Sequence, residues 1–302
     1  MTRPIESIST PDRSMVHVRL LRLFASPTYQ PPVLPGVALE IMQLSQRTRV
    51  DFEDVVPILE HDPVLAAKVL SIAQSALYAP RSPILSLKQA LVRLGLKTLR
   101  DLVLEAALQL RVFRVPGYGE VMERLSRHST ATAHLMRLVC QRTAIEAEYA
   151  FLCGLLHDVG IAACLLALSD DARGGLAPPT AIEPVLDHMH EEASGLVTRL
   201  WGLPAEIQTV VATHHRVQVG GTPHPVNATL VVAEELACVC GVGMAPFGFP
   251  GEASPPAFDA NGPELFQEAC LALRLDPATL DLLRSEATAL VMTLAGPGPT
   301  AT

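Results

Sequence analysis

A surplus of positive charge is missing from this chain, and with it the usual means of gripping a nucleic acid. The 302 residues include 23 Lys and Arg against 31 Asp and Glu, a formal net charge of −8 at pH 7. Binding to a phosphate backbone relies on clustered cations that release counterions, so no nucleic-acid partner is expected. Charged residues are also scarce, at 18%, while 49% of the chain is hydrophobic. That balance excludes a disordered chain and fills a sizeable core, in one large domain or two of ordinary size. The opening Met1-Thr2-Arg3-Pro4-Ile5-Glu6 lacks the apolar run of a secretory signal, so a cytoplasmic location is expected. Six scattered cysteines, Cys140, Cys153, Cys164, Cys238, Cys240 and Cys270, make no disulfide frame, and Cys238-Val239-Cys240 has the wrong spacing for a zinc knuckle. They read as reduced, small core residues. There is no solenoid repeat, no block of like charge and no Gly-rich loop ending in Lys to cradle a phosphate.

Period-two alternation is rare as well, and helical periodicity takes its place. Glu40 to Leu44, Val55 to Leu59 and Val64 to Ala76 keep apolar residues three and four apart, with Asp51 and Asp62 placed as N-caps and Pro63 in a first turn. Leu87 to Phe113 continues the pattern in two amphipathic pieces divided at Gly95. A short helix is expected around Met15 to Phe24. A proline-rich lead-in follows at 26–36, and a break falls at Val115-Pro116-Gly117-Tyr118-Gly119. Loops are expected from Asp170 to Pro184 and from Gly241 to Pro263, then helix starts at Pro263-Glu264 and Asp276-Pro277. Trp201-Gly202-Leu203-Pro204 reads as the close of one helix and the start of the next, with the indole in the core. The expected fold class is all-α, a multi-helix bundle.

Within that pattern Gly154-Leu155-Leu156-His157-Asp158-Val159-Gly160 stands out. From Tyr149 to Leu168 the titratable groups of consequence are His157, Asp158 and the thiols Cys153 and Cys164. A carboxylate buried there needs a cation, a charge partner or several donors, because desolvating it alone costs several kcal/mol. Three readings follow. A core His-Asp hydrogen bond satisfies both groups without a ligand. A membrane helix has the right length, although Asp at its midpoint opposes insertion by roughly 2.5 to 3.5 kcal/mol. A metal takes one nitrogen and one oxygen from the pair, which suits iron, manganese or zinc.

The other histidines strengthen the metal reading. A helix from Gly119 to Arg142 carries His128, another from Ile182 to Trp201 carries His188, and the helix starting near Pro204 ends at His214-His215. Polar residues on four helices converge only in a bundle interior, where helical proteins build metal sites.

Several segments together resemble the HDOD domain, a signalling-associated branch of the HD superfamily of metal-dependent phosphohydrolases. They are Leu34-Pro35-Gly36, His61-Asp62-Pro63-Val64-Leu65-Ala66-Ala67-Lys68-Val69-Leu70, Ala90 to Leu96, Gly154 to Gly160, and Trp201-Gly202-Leu203-Pro204 through His214-His215. The resemblance runs from about Pro31 to about Leu236 and implies three parts. These are an N-terminal extension with a short helix (1–30), an HDOD domain (31–236) and a C-terminal helical extension (237–302) with a Gly/Pro-rich loop at 241–263. Inside the domain, an N-terminal helical layer (31–114) packs on the His-bearing HD-like layer (119–236).

The resemblance also implies a ligand set. His128, His157 and Glu234 hold one divalent ion, His188, His214 and His215 a second, and Asp158 bridges; Asp158 is the single catalytic candidate if the site is active. One or two iron, manganese or zinc ions are the implied cofactors. Two features depart from the related HD-GYP enzymes, which hydrolyse cyclic di-GMP. No Lys follows Gly160, where Ile161 stands, and Gly220-Gly221-Thr222-Pro223 replaces a Gly-Tyr-Pro element. Arg216 is the one cation adjacent to the paired histidines in sequence. The resemblance therefore implies a regulatory or scaffold protein that binds another signalling protein through its N-terminal layer, without nucleic acid or membrane. The alternative is a metal-dependent phosphohydrolase of nucleotides or cyclic dinucleotides.

Overall fold

Helix follows helix along the chain: α1 (Arg13–Phe24), α2 (Gly36–Ser45), α3 (Phe52–Glu60), α4 (Pro63–Ala73), α5 (Leu87–Ala107), α6 (Gly119–Thr143), α7 (Ala150–Leu156), α8 (Val159–Asp170), α9 (Pro179–Leu200), α10 (Ala205–Val211), α11 (Pro225–Val239), α12 (Gly262–Leu273) and α13 (Pro277–Ala295). The computed structural model describes residues 13–45, 47, 50, 52–78, 83–143, 145, 148–171, 179–244 and 262–295. Among them the strands are β1 (Gln218–Val219) and β2 (Thr222–Pro223), one short antiparallel hairpin. Its turn, Gly220-Gly221, takes φ of 61° and 81°, which only glycine adopts without strain.

Local chemistry accounts for many of the boundaries. Asp62 accepts the Leu65 N–H at 3.0 Å ahead of Pro63, and Ser86 accepts the Gln89 N–H at 3.2 Å. Asp276 accepts the Thr279 N–H at 2.7 Å at the start of α13. Each side chain satisfies a backbone donor left over by the first helical turn. Gly95, at φ 78° and ψ 166°, divides α5 into the two expected pieces. After α9, Gly202 is left-handed and the Leu203 N–H reaches back to the Thr198 carbonyl at 3.1 Å, a Schellman close. The Trp201 indole N–H donates to the Pro32 carbonyl at 2.9 Å and ties down the proline-rich lead-in.

Two expectations need correction. The loop after Asp170 ends earlier than Pro184, because α9 starts at Pro179 and Pro184 lies within it. His214-His215 stand in a turn beyond α10, not on its last residues. The capping role of Asp51 and most of the Gly241 to Pro263 loop lie outside the described residues.

The N-terminal layer, α2 to α5, packs on the His-bearing helices chiefly through α5. Asp101 is fully buried there and accepts from Arg100 Nε at 3.0 Å and from Arg137 of α6. Arg100 also donates to the Glu148 carbonyl at 3.3 Å, and the Arg137 guanidinium lies 4.1 Å from the centre of the Phe151 ring. One carboxylate thus joins two cations and two layers. The apolar stretch Ala150–Asp170, long enough to cross a bilayer, is 94% buried inside the fold in its most apolar window. Helices α12 and α13 cover α11 and α6.

Asp101→Ala removes the buried carboxylate shared by two cations, Arg100 keeping Glu148, and should lower the unfolding free energy by about 3 to 5 kcal/mol in urea titrations. Glu105 on the same helix gives a second test. Burial, offset in part by Lys68 and Arg137, raises its pKa from 4.5 to about 7. A carboxyl raised on folding contributes stability that is complete below pH 4.5 and is lost as the pH climbs through 7. Between pH 6 and 8 the wild type should lose about 1 kcal/mol that Glu105→Gln retains, measured by urea unfolding at both pH values.

Candidate metal centre

The chain interrupts its helix at His157 and Asp158, between α7 and α8. Two glycines then determine what surrounds them. A Cβ on Gly154 would lie 2.8 Å from the Ala133 Cα and 2.9 Å from the Thr132 carbonyl; on Gly160 it would lie 2.2 Å from the His190 carbonyl and 2.5 Å from the Ser194 nitrogen. α7 therefore rides directly on α6, and α8 directly on α9. The Gly160 N–H donates to Ser194 Oγ at 2.7 Å, locking the second contact. These approaches bring His128 of α6 and His190 of α9 to opposite sides of Asp158.

The remaining donors arrive from the turn after α10 and from α11. Asn227 of α11 donates to the Thr213 carbonyl at 2.7 Å and reaches the Arg216 carbonyl at 3.0 Å, closing the turn that presents His214 and His215. Glu191 accepts the His215 backbone N–H at 3.0 Å. Two turns beyond Asn227, Glu234 reaches the site.

The side chains form two groups joined by one carboxylate. His128, His157 and Asp158 present ligand atoms within 4.8 Å of one another, as do His190, His214 and His215. Asp158 Oδ2 is 3.3 Å from His157 Nε2 and 3.6 Å from His128 Nε2; Oδ1 is 3.5 Å from both His190 Nε2 and His214 Nε2. Glu234 Oε1 is 3.4 Å from His157 Nε2 and 4.0 Å from His215 Nε2.

Tautomers settle what these atoms can do. His128 Nδ1 is 3.0 Å from the Val242 carbonyl, His157 Nδ1 2.8 Å from Gly154, His190 Nδ1 2.9 Å from Leu186 and His214 Nδ1 2.8 Å from Val211. A carbonyl accepts only, so each Nδ1 carries hydrogen, and the Nε2 of each ring faces inward, as a lone pair wherever the ring is neutral. The inward nitrogens then face one another, at 3.0 Å for His128 and His157 and 3.1 Å for His190 and His214. Opposed lone pairs repel unless a proton or a metal ion stands between them. Ligands about 2.0 to 2.1 Å from a common ion sit about 3.0 to 3.4 Å apart, the spacing found here. A simple His-Asp core pair accounts for His157 and Asp158 and leaves the other imidazoles unexplained.

Burial and charge have marked effects on these groups. Burial drives His128 down to about 4, with the His157 charge adding to it. For His157 burial acts downward too, but Asp158 and Glu234 outweigh it and lift the ring to about 9. Burial would raise Asp158, yet the surrounding imidazoles hold it well below the usual carboxylate range. Burial lowers His214 to about 4 and His215 to about 3.

His188, the expected ligand of α9, does not belong to this cluster. It is exposed, and its ring lies 5.7 Å from that of His17 on α1. His190 fills the place, and helical periodicity could have found it. It follows Leu186 by four residues and precedes Ser194 by four, on the buried face of α9, whereas His188 points between them to the outside. The other six expected ligands, His128, His157, Asp158, His214, His215 and Glu234, are brought together.

The HDOD domain family profile matches residues 32–217, a span that ends before Glu234 and α11. An uncharacterized protein of Treponema pallidum is 23% identical over 203 residues, covering 62% of this chain and 38% of that protein. The chain thus spans well under half the length of that curated relative. Among solved structures, an HDOD domain protein of unknown function from Geobacter sulfurreducens is similar at TM-score 0.60 and 22% identity, over 92% of this chain and 99% of that one. A Shewanella amazonensis protein named "Putative metal-dependent phosphohydrolase" reaches TM-score 0.68 at 18% identity, over 93% and 98%. At these identities the two structures share the fold. With the family profile covering more than half of its length, the chain belongs to the HDOD domain family.

Proposed function

We propose that this protein is a signalling regulator in which a buried metal centre fixes the arrangement of the helices, and that it acts by binding another signalling protein. His128, His157 and Glu234 would hold one ion, His190, His214 and His215 the other, with Asp158 between them. Five imidazoles and two carboxylates suit iron, manganese or zinc. Bound there, such ions supply Lewis acidity and a strong structural cross-link.

The observation that carries the regulatory reading is the enclosure of the site. His128, His157, Asp158, His190 and His214 are all buried, and among the described residues the partly exposed edge consists of His215 and Glu234, with Glu191 beside His215. A phosphoester approaching that edge meets two carboxylates. The one cation adjacent in sequence, Arg216, points at Glu191 from 4.0 Å and is otherwise exposed. Phosphoryl transfer depends on cations aimed at the developing charge, and among the described residues of this rim the carboxylates of Glu234 and Glu191 outnumber Arg216, while Arg124 acts on His128. On the N-terminal layer, by contrast, Val33, Val64 and Val92 are exposed apolar side chains, which suits a protein-binding face. A phosphohydrolase is the second reading, favoured by the single carboxylate shared between two histidine groups, an arrangement that two-metal hydrolases also require.

Elemental analysis of untagged protein should find about two transition-metal ions per chain. Chelation should lower Tm by about 5 to 10 °C, because the loss of a ligand held near 100 times its Kd removes about 2.7 kcal/mol. Metal-free, well-folded wild type would defeat the metal assignment. Phosphodiesterase turnover of bis-p-nitrophenyl phosphate or cyclic dinucleotides that vanishes in Asp158→Ala would replace the regulatory reading with the hydrolase. Gly160→Ala, whose new Cβ meets the His190 carbonyl, should reduce metal content by at least half. Gly36→Ala, with nothing within 4 Å, should leave it unchanged.

A further inference from the structure

A second cavity, of about 440 Å³, opens between the two layers and the C-terminal helix α13, and the metal centre makes no use of it. Its walls come from α4, α5, α6 and the end of α13. The floor is polar and built into the core. Glu105 and His134 are 4% and 5% exposed, yet Glu105 Oε2 and His134 Nε2 have no hydrogen-bond partner, and 3.9 Å separates them. The other Glu105 oxygen accepts from Gln109 at 3.2 Å, and Gln109 lies 3.4 Å from Thr130 Oγ1. One side of the carboxylate is therefore held in place while the other is left open. Each buried polar atom without a partner costs about 1 to 3 kcal/mol, so this pair calls for something to fill the space between the layers.

The lining also specifies the filling. Half-buried Lys68 and exposed Arg127 place two cations on the cavity wall, with the Glu105 acceptor inside. Ile72, Val242 and Leu294 supply apolar faces. The volume lies in the range of small-molecule sites, where a few fixed polar groups among apolar walls orient one ligand. We infer that this cavity binds a small organic anion that also carries an N–H donor, its carboxylate or phosphate at Lys68 and Arg127 and its N–H on Glu105 Oε2. The cavity shares a wall with the metal centre, because Val242 lines it while the Val242 carbonyl holds His128 Nδ1.

Two sources provide this chemistry, amino acids with a carboxylate head and nucleoside monophosphates with a phosphate head. Thermal-shift and calorimetric titration of the full chain at pH 8, where Glu105 is ionised, with the twenty amino acids and four nucleoside 5′-monophosphates at millimolar concentration, tests both. At least one should raise Tm and bind with submillimolar Kd, and the arm in which it lies identifies the head group. Glu105→Gln and Lys68→Gln should each weaken that compound by about tenfold, the loss expected for one charge-assisted contact. Lys68 is only half-buried, so its variant keeps the test valid if Glu105→Gln does not fold. If no compound binds, the cavity holds water alone and the inference fails. It fails equally if a compound binds both variants as tightly as wild type, since the ligand then sits elsewhere. Neither result bears on metal content, which is measured separately.

Discussion

Everything at the centre of this molecule depends on two helix contacts closer than any side chain would permit. Gly154 lets α7 lie against the backbone of α6, and Gly160 lets α8 lie against that of α9. The His-Asp pair stands at the short break between those glycines, so a displacement of either helix would carry an imidazole away from the shared carboxylate. Packed interiors transmit such displacements because they contain few voids to absorb them. The spacing Gly-x-x-His-Asp-x-Gly is thus a packing device first and a ligand set second. The glycines bring four helical segments within reach, and the carbonyls of Gly154, Leu186, Val211 and Val242 then set the ring tautomers.

The charge distribution divides the molecule into regions with different duties. Between the layers, Asp101 is shared by two arginines and acts as a structural joint. In the candidate metal centre one carboxylate, Asp158, faces four imidazoles, and it helps to lift His157 to about 9 while burial lowers His128 and His214. In the cavity beside Glu105 the polar atoms are rigidly placed but incompletely paired. Buried polar groups are normally satisfied, and the contrast between the fully engaged Asp101 and the half-engaged Glu105, four residues apart on one helix, marks where the fold has left room.

Much of this was legible in the residues. The all-α class follows from apolar residues three and four apart, and the starts of α4 and α13 follow from Asp62-Pro63 and Asp276-Pro277, because capping is a local interaction of neighbouring atoms. Six of the seven expected ligands meet, since the HDOD resemblance carries their order along the chain. His188 was the exception. Its choice followed that order, whereas the helical face on which His190 lies was open to reading from Leu186, Ser194 and Thr198. The start of α9 is hidden in the sequence because Pro179 and Pro184 read locally as loop signals.

The sequence by itself determined the class of fold, the helix starts at Asp62 and Asp276, the family and the kinds of ligand atom available, all matters of local chemistry or residue order. Tertiary structure alone decided that Glu234 spans His157 and His215, and that Glu105 and His134 face a cavity. It also decided that Glu234 and Glu191 stand beside His215 at the candidate metal centre. Those outcomes depend on how far apart helices distant in sequence come to rest, and that distance is set by glycine contacts and side-chain volumes summed over the whole core. No single segment contains that sum.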